Sequence, residues 1–102
     1  MSIHSQQSPS FGHQLREIRR RWVGKQLVLA LSVGCTEAAV CFWEQNRRLP
    51  TSETLQRLEQ FLTGAGVPAG ELSTLKAAHC AAMLQRRAPG PSTLLEAAAH
   101  AL

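Results

Sequence analysis

Residues 26–44, QLVLALSVGCTEAAVCFWE, consist of two short apolar segments separated by Gly34. Glycine adopts the left-handed conformation at a helix end without a steric penalty, so Gly34 is expected to end the first segment. In that segment one helix face, at i, i+3 and i+4, carries Leu27, Ala30 and Leu31, with Leu29 and Val33 on a neighbouring flank. The spacing therefore predicts a helical hairpin, with one helix over 26–32 and the next over 36–45.

The second segment begins with a residue suited to start a helix. The hydroxyl of Thr36 can accept a hydrogen bond from a backbone N–H in the first turn. Helical spacing places Ala39, Val40 and Trp43 on one side of this helix, and Glu37, Ala38, Cys41 and Gln45 on the other. Two helices joined by a short turn containing glycine form a helix-turn-helix.

The residues around this hairpin resemble the helix-turn-helix of Cro and the phage repressors, the xenobiotic-response-element family. The resemblance covers residues 11–62, and its fragments in register are Leu15-Arg16-Glu17-Ile18-Arg19, Gln26-x-x-Leu29-Ala30-x-x-x-Gly34-Cys35-Thr36, Val40-x-x-Trp43-Glu44-x-Asn46-Arg47-Arg48-x-Pro50 and Thr54-Leu55-x-x-Leu58-x-x-x-Leu62. It implies an all-α fold, a compact lambda-repressor-like bundle of five to six short helices with a helical C-terminal extension.

The resemblance also assigns residues to roles in binding double-stranded DNA. It implies that base edges are read from the outer face of the second hairpin helix by Glu37, Ala38, Cys41 and Phe42. It implies phosphate contacts from Arg20, Arg21, Lys25, Gln26, Thr36, Arg47 and Arg48. A carboxylate can accept from the cytosine amino group and apolar side chains can meet thymine methyls, but none of the four readers can grip guanine or adenine bidentately. The four residues can therefore make few base-specific contacts.

Three further expectations follow from the comparison with the family pattern. The resemblance implies a partly buried ion pair between Arg19 and Glu44. Lys25 stands where the family has a Ser or Thr cap, and since its side chain cannot accept a hydrogen bond, the first hairpin helix is expected to start uncapped. Asn46 stands where the family has Gly, and Asn is the next most tolerant residue of left-handed φ.

Two classes of function remain open. The resemblance implies a small bacterial or phage-like regulator, a repressor acting as a homodimer on an operator, and an antitoxin that represses its own operon would share the same domain. Alternatively, an outward face that carries Phe42 would serve as a protein–protein interaction module, because exposed aromatic residues anchor protein partners.

The rest of the chain is predicted to divide into three parts. Residues 1–9 are polar and read as a disordered arm, 10–63 as the DNA-binding domain, and 64–102 as a helical extension that either adds core or contacts a second copy. In the domain, one helix is capped by Ser10, with a core stripe of Phe11, Leu15, Ile18 and Trp22; another is capped by Thr51 or Ser52, with Leu55, Leu58, Phe61 and Leu62 facing the core. The extension is predicted as a linker over 63–70, a helix over 71–87, a break at 88–91 and a short helix over 93–102 capped by Ser92.

Composition argues against several other functions. The 102 residues carry 11 Lys and Arg against 7 acidic residues, and this net charge of +4 suits a polyanion partner. There is no Asp, the four His are scattered, and the three Cys have no metal-ligand spacing, so we expect no enzyme, cofactor or metal. No apolar run is long enough to span a membrane and the first ten residues do not resemble a secretory signal, so we expect a cytoplasmic protein with reduced thiols.

Overall fold

The structure is a computed structural model that describes residues 9–87, except for the side chain of Arg87. Five helices and no strand occur in this range, which confirms the predicted all-α bundle. The helices are α1 (Phe11–Trp22), α2 (Gln26–Val33), α3 (Glu37–Glu44), α4 (Ser52–Gly64) and α5 (Ala69–Arg87). The predicted arm up to Ser8, the break at 88–91 and the last helix over 93–102 lie outside the described residues.

Short polar side chains begin three of these helices, as the sequence predicts. The hydroxyls of Ser10, Thr36 and Thr51 accept hydrogen bonds from the backbone N–H of the third residue after each. Thr51, rather than Ser52, is therefore the cap of α4. Lys25 precedes α2 and makes no side-chain capping bond, also as predicted.

The core is a single cluster to which all five helices contribute. The predicted stripes of α1 and α4 pack into it, with Trp22 and Phe61 partly buried at its edge. Helices α1 and α4 have 12 and 13 residues, more than three turns each, which is long enough for the 3.6-residue period to identify one face. The fully buried large side chains are Phe11, Leu15, Ile18, Leu29, Val40, Pro50, Leu58, Leu62 and Leu75.

The apolar face predicted for α2 is wrong in two of its three residues. Leu27 and Leu31 are exposed. Ala30, the third residue of the predicted face, is buried together with Leu29 and Val33 of the neighbouring flank. The reason is that α2 is apolar on almost every side, so its periodicity does not mark a solvent face. Packing against α3 and α4 instead selects Leu29, Ala30 and Val33.

The boundaries predicted after residue 62 also need correction. Helix α4 continues through Gly64 and α5 begins at Ala69, so the connection is four residues long rather than eight. The carbonyl of Pro68 accepts the backbone N–H groups of Glu71 and Leu72, which extends α5 two residues earlier than predicted. A proline is well placed before a helix, because the N–H it lacks would have no partner there.

The described part of the C-terminal extension belongs to the core. Leu72 and Leu75 of α5 are buried, and so is His79. The Nε2 atom of His79 lies 2.7 Å from the carbonyl oxygen of Pro50, and its ring meets the ring of Phe11 edge-on. Helix α5 therefore holds α1 against the segment before α4. A dimer contact through the extension stays a prediction.

Within residues 9–87 no single helix is both long and apolar enough to cross a membrane. Helices α2 and α3 meet that criterion only when taken together, and they are bent by 113° at the break between them.

Candidate nucleic-acid interface

The hairpin of α2 and α3 has a short turn with well-defined ends. Gly34 adopts the left-handed conformation, with φ of 75°, and its N–H bonds to the carbonyls of the last turn of α2. The Thr36 hydroxyl accepts from the backbone N–H of Ala39 at 3.0 Å and so starts α3. With three residues between the helices and a bend of 113°, the pair lies within the range of a helix-turn-helix, roughly 90–120°.

Helix α3 presents its predicted outer face to solvent. Val40 and Trp43 are buried beneath it, whereas Glu37 and Ala38 are exposed. Cys41 is half-buried, and its sulfur accepts a hydrogen bond from the side-chain amide of Gln45 at 3.3 Å. The base-reading candidates therefore comprise one carboxylate and a mainly apolar surface.

Phe42, the fourth candidate reader, is half-buried rather than fully exposed. The guanidinium carbon of Arg48 lies 5.3 Å from the centroid of its ring, which is cation–π geometry. The two side chains, with Ala38 and residues at the start of α4, line a shallow pocket of about 290 Å³. Arg48 was predicted only as a phosphate contact, and its position over Phe42 gives it a packing role as well.

Arg19 and Glu44 form a nearly buried ion pair between α1 and the end of α3. The guanidinium donates through Nε and Nη2 to the two carboxylate oxygens and through Nη1 to the backbone oxygen of Gly24. Such fork-shaped pairing is directional as well as charged, so it sets the position of α3 relative to α1.

Gln26 is part of the same network. Its side-chain nitrogen donates to Glu44 Oε1 at 3.0 Å, and its side chain is half-buried. The amide group still has a second N–H, so a phosphate contact is compatible with this bond. The structure thus joins the ion pair to a residue that the resemblance assigned to phosphate binding.

The other candidate phosphate contacts occupy exposed positions. Arg21 Nη1 lies 3.6 Å from Oε1 of Glu71 in α5, so these two residues form a weak, solvated ion pair. Arg21 is therefore not a free cation. None of the remaining cations has a carboxylate partner within residues 9–87; they are Arg20, Lys25, Arg47 and Arg48.

A junction that the sequence does not predict lies at the C-terminal end of α3. Asn46 has φ of 60°, the left-handed conformation expected for it, but its side chain also reaches α1. Its Oδ1 accepts from the N–H of Gly12 at 2.9 Å and its Nδ2 donates to the Ser10 hydroxyl at 3.0 Å. Arg86 of α5 donates to its backbone oxygen. No signal in the local sequence identifies these partners, which are 34 to 40 residues away.

The sequence also does not predict that Arg57 of α4 lies near the hairpin turn. Its Nη1 atom lies 3.4 Å from the position that a Cβ on Gly34 would occupy. The guanidinium therefore stands at the C-terminal end of α2, where the helix dipole favours a cation.

Among the described residues no group of three His, Cys, Asp or Glu side chains is placed to hold a metal ion. No protein-family model, curated protein or solved structure matches this chain. The geometry of the hairpin and of the surface around α3 is therefore the basis for a functional assignment.

Proposed function

We propose that this chain is a sequence-specific double-stranded DNA-binding protein, a transcriptional repressor that acts in the cytoplasm as a homodimer. The observation that carries the proposal is the α2–α3 pair, with its three-residue turn, its 113° bend and an α3 whose outer face is free of core contacts. This is the arrangement with which such hairpins place their second helix in the major groove.

In this proposal α3 supplies the base contacts. Glu37 accepts a hydrogen bond from a cytosine amino group, and Ala38 and Phe42 contact thymine methyl groups. The carboxylate of Glu37 stands in the first turn of α3, where the helix dipole offsets part of its repulsion from phosphate.

Phosphate contacts then supply most of the affinity. Gln26 and the backbone N–H groups at the start of α2 lie beside the C-terminal end of α3, where Gln26 bonds to Glu44, and Arg47 and Arg48 follow that end in the chain. Phosphate contacts grouped there would fix the position of α3 relative to the DNA backbone.

Selection of bound sequences from a pool of random DNA duplexes tests the proposal. The full chain should enrich a palindrome whose half-sites are centred about 10–10.5 base pairs apart, because a two-fold dimer reads two successive turns of one groove. Enrichment of a single half-site would remove the dimer from the proposal. A pool that remains random, with equal affinity for all duplexes, would contradict sequence-specific binding itself.

Replacing Arg47 and Arg48 together by Ala should weaken binding to all duplexes alike. For each arginine that neutralises a phosphate, its removal should reduce the slope of log affinity against log salt concentration by about 0.9. Titrations at several salt concentrations measure the slope, with Lys76→Ala as the control, since Lys76 lies on α5 and faces Glu59. A changed sequence preference at constant slope would instead make these arginines base readers.

Replacing Phe42 by Ala separates DNA reading from the alternative in which this face binds only protein. If DNA is the partner, affinity for the selected duplex should fall by about 1–3 kcal/mol, the usual range for one mismatched base pair, while binding to a random duplex persists. The half-buried ring beneath Arg48 favours the smaller values, because only part of it is free to touch a base. Equal losses on both duplexes would show that Phe42 supports the surface without reading it.

A further inference from the structure

Large apolar side chains are exposed at four positions in the described part of the chain, and three of them share one short helix. Leu27, Val28 and Leu31 of α2 are 47%, 45% and 71% exposed, and the fourth position is Leu84 of α5, at 62%. The spacing of 27, 28 and 31 places the three on one side of the helix, which we call the α2 face. Single exposed apolar residues are ordinary, whereas such a cluster marks an interaction surface.

The size of the α2 face limits what it can bind. Helix α2 has eight residues and is therefore about 12 Å long, or two turns. Three side chains over this length offer much less than the roughly 800 Å² that each partner buries in a stable protein–protein interface. The face is thus too small to hold two copies of this chain together by itself, and it matches a two-turn helical segment of a partner.

The charges around the α2 face indicate the chemistry of that segment. Lys25 precedes the helix and the Arg57 guanidinium stands at its C-terminal end, so both ends carry a cation. Neither cation has a carboxylate partner within residues 9–87.

We propose that the α2 face docks a short amphipathic helix of a protein partner, one with apolar residues at i and i+3 or i+4 flanked by Asp or Glu. Apolar anchors would pack on Leu27, Val28 and Leu31, and the acidic flanks would lie against Lys25 and Arg57. This site is separate from the outer face of α3, and it gives the chain a protein partner in addition to DNA.

A peptide library tests this directly. The full chain, immobilised, is used to select from random peptides of about 16 residues, long enough for a two-turn helix with flanks, displayed on phage. The enriched peptides are then synthesised and titrated, and we expect them to combine the apolar spacing with acidic flanks. Leu31→Ser should weaken their binding at least about tenfold, because a central apolar anchor is removed. Arg57→Gln should weaken the acidic peptides by about threefold, a smaller effect because rim charges contribute less than central anchors.

Matched variants serve as controls. Leu84→Ser removes a leucine of similar exposure from α5, and Arg16→Gln removes an exposed arginine from α1; both should leave peptide affinity unchanged. The melting temperature of Leu31→Ser should equal that of the parent, because the side chain it removes is mostly exposed.

Several results would overturn the proposal. Peptides without acidic flanks, or peptides bound equally by the Leu31→Ser variant, would show that the α2 face does not select this segment. A lower melting temperature of Leu31→Ser would mean that the chain itself covers the face. If Leu31→Ser sediments with a lower mass than the parent, the face is a contact between copies of the chain. If the parent binds phosphatidylserine vesicles and Leu31→Ser does not, the face binds a membrane surface.

Discussion

Glu44→Ala is expected to lower the free energy of unfolding by about 3–5 kcal/mol, the cost of removing one partner of a buried ion pair. The Glu44 side chain is only 4% exposed, and it accepts hydrogen bonds from both Arg19 and Gln26. The variant leaves the Arg19 guanidinium buried with only the backbone oxygen of Gly24 as acceptor. Since small domains are stable by about 5–15 kcal/mol, much of this margin would disappear.

Thermal and urea unfolding of the variant and the parent measure this effect. Glu71→Ala is the control, because its partner Arg21 is exposed and the two lie 3.6 Å apart, so removal of this solvated pair should cost no more than about 1 kcal/mol. If Glu44→Ala melts at the same temperature as the parent, the Arg19–Glu44 pair does not hold α3 to α1.

Gly12→Ala is expected to cost about 3 kcal/mol, from overpacking and from a weakened hydrogen bond. A Cβ at this position would stand 2.5 Å from the backbone oxygens of both Trp43 and Glu44, and 2.8 Å from Asn46 Oδ1. Backbone oxygens at the end of a helix cannot rotate away, so α1 must move off α3. That movement would stretch the bond from the Gly12 N–H to Asn46.

Gly70→Ala provides the matched control for this substitution. Gly70 lies in the first turn of α5, and a Cβ there would meet nothing within 4 Å. Alanine should raise stability there by up to about 1 kcal/mol, because it is the better helix former. Equal unfolding midpoints for the two variants would contradict the close approach of α1 to α3.

A DNA-binding assay of Gly12→Ala at a temperature where it remains folded adds a second measurement. Because Gly12 lies against the end of α3 and makes no predicted DNA contact, reduced affinity would report displacement of α3 alone. This links the packing at the α1–α3 junction to the surface proposed to enter the groove.

Local sequence was sufficient for the start of α1 and for the helix ends around the hairpin, although not for the end of α4 and the start of α5. The caps at Ser10 and Thr36 and the left-handed residues Gly34 and Asn46 are all where the sequence predicts them. Each depends on hydrogen bonds or dihedral preferences within about four residues, so distant parts of the chain do not alter the outcome. The stripes of α1 and α4 were equally predictable. Each helix has more than three turns with one apolar and one polar side, so only the apolar side can pack on the core.

Tertiary packing decided the orientation of α2. Eight residues that are apolar on nearly every side can bury either flank, and only contact with α3 and α4 selects Leu29 and Val33 over Leu27 and Leu31. The α2 face, and with it the proposed partner site, therefore could not be identified from the hydrophobic pattern.

The same limit applies to contacts between residues distant in the chain. The bonds from Asn46 to Gly12 and from His79 to Pro50 join positions 34 and 29 residues apart. Local periodicity describes which face of a helix is apolar, but not which element covers it or which polar atoms meet there. Those pairings form when the helices pack, because a buried polar atom must then find a partner within reach.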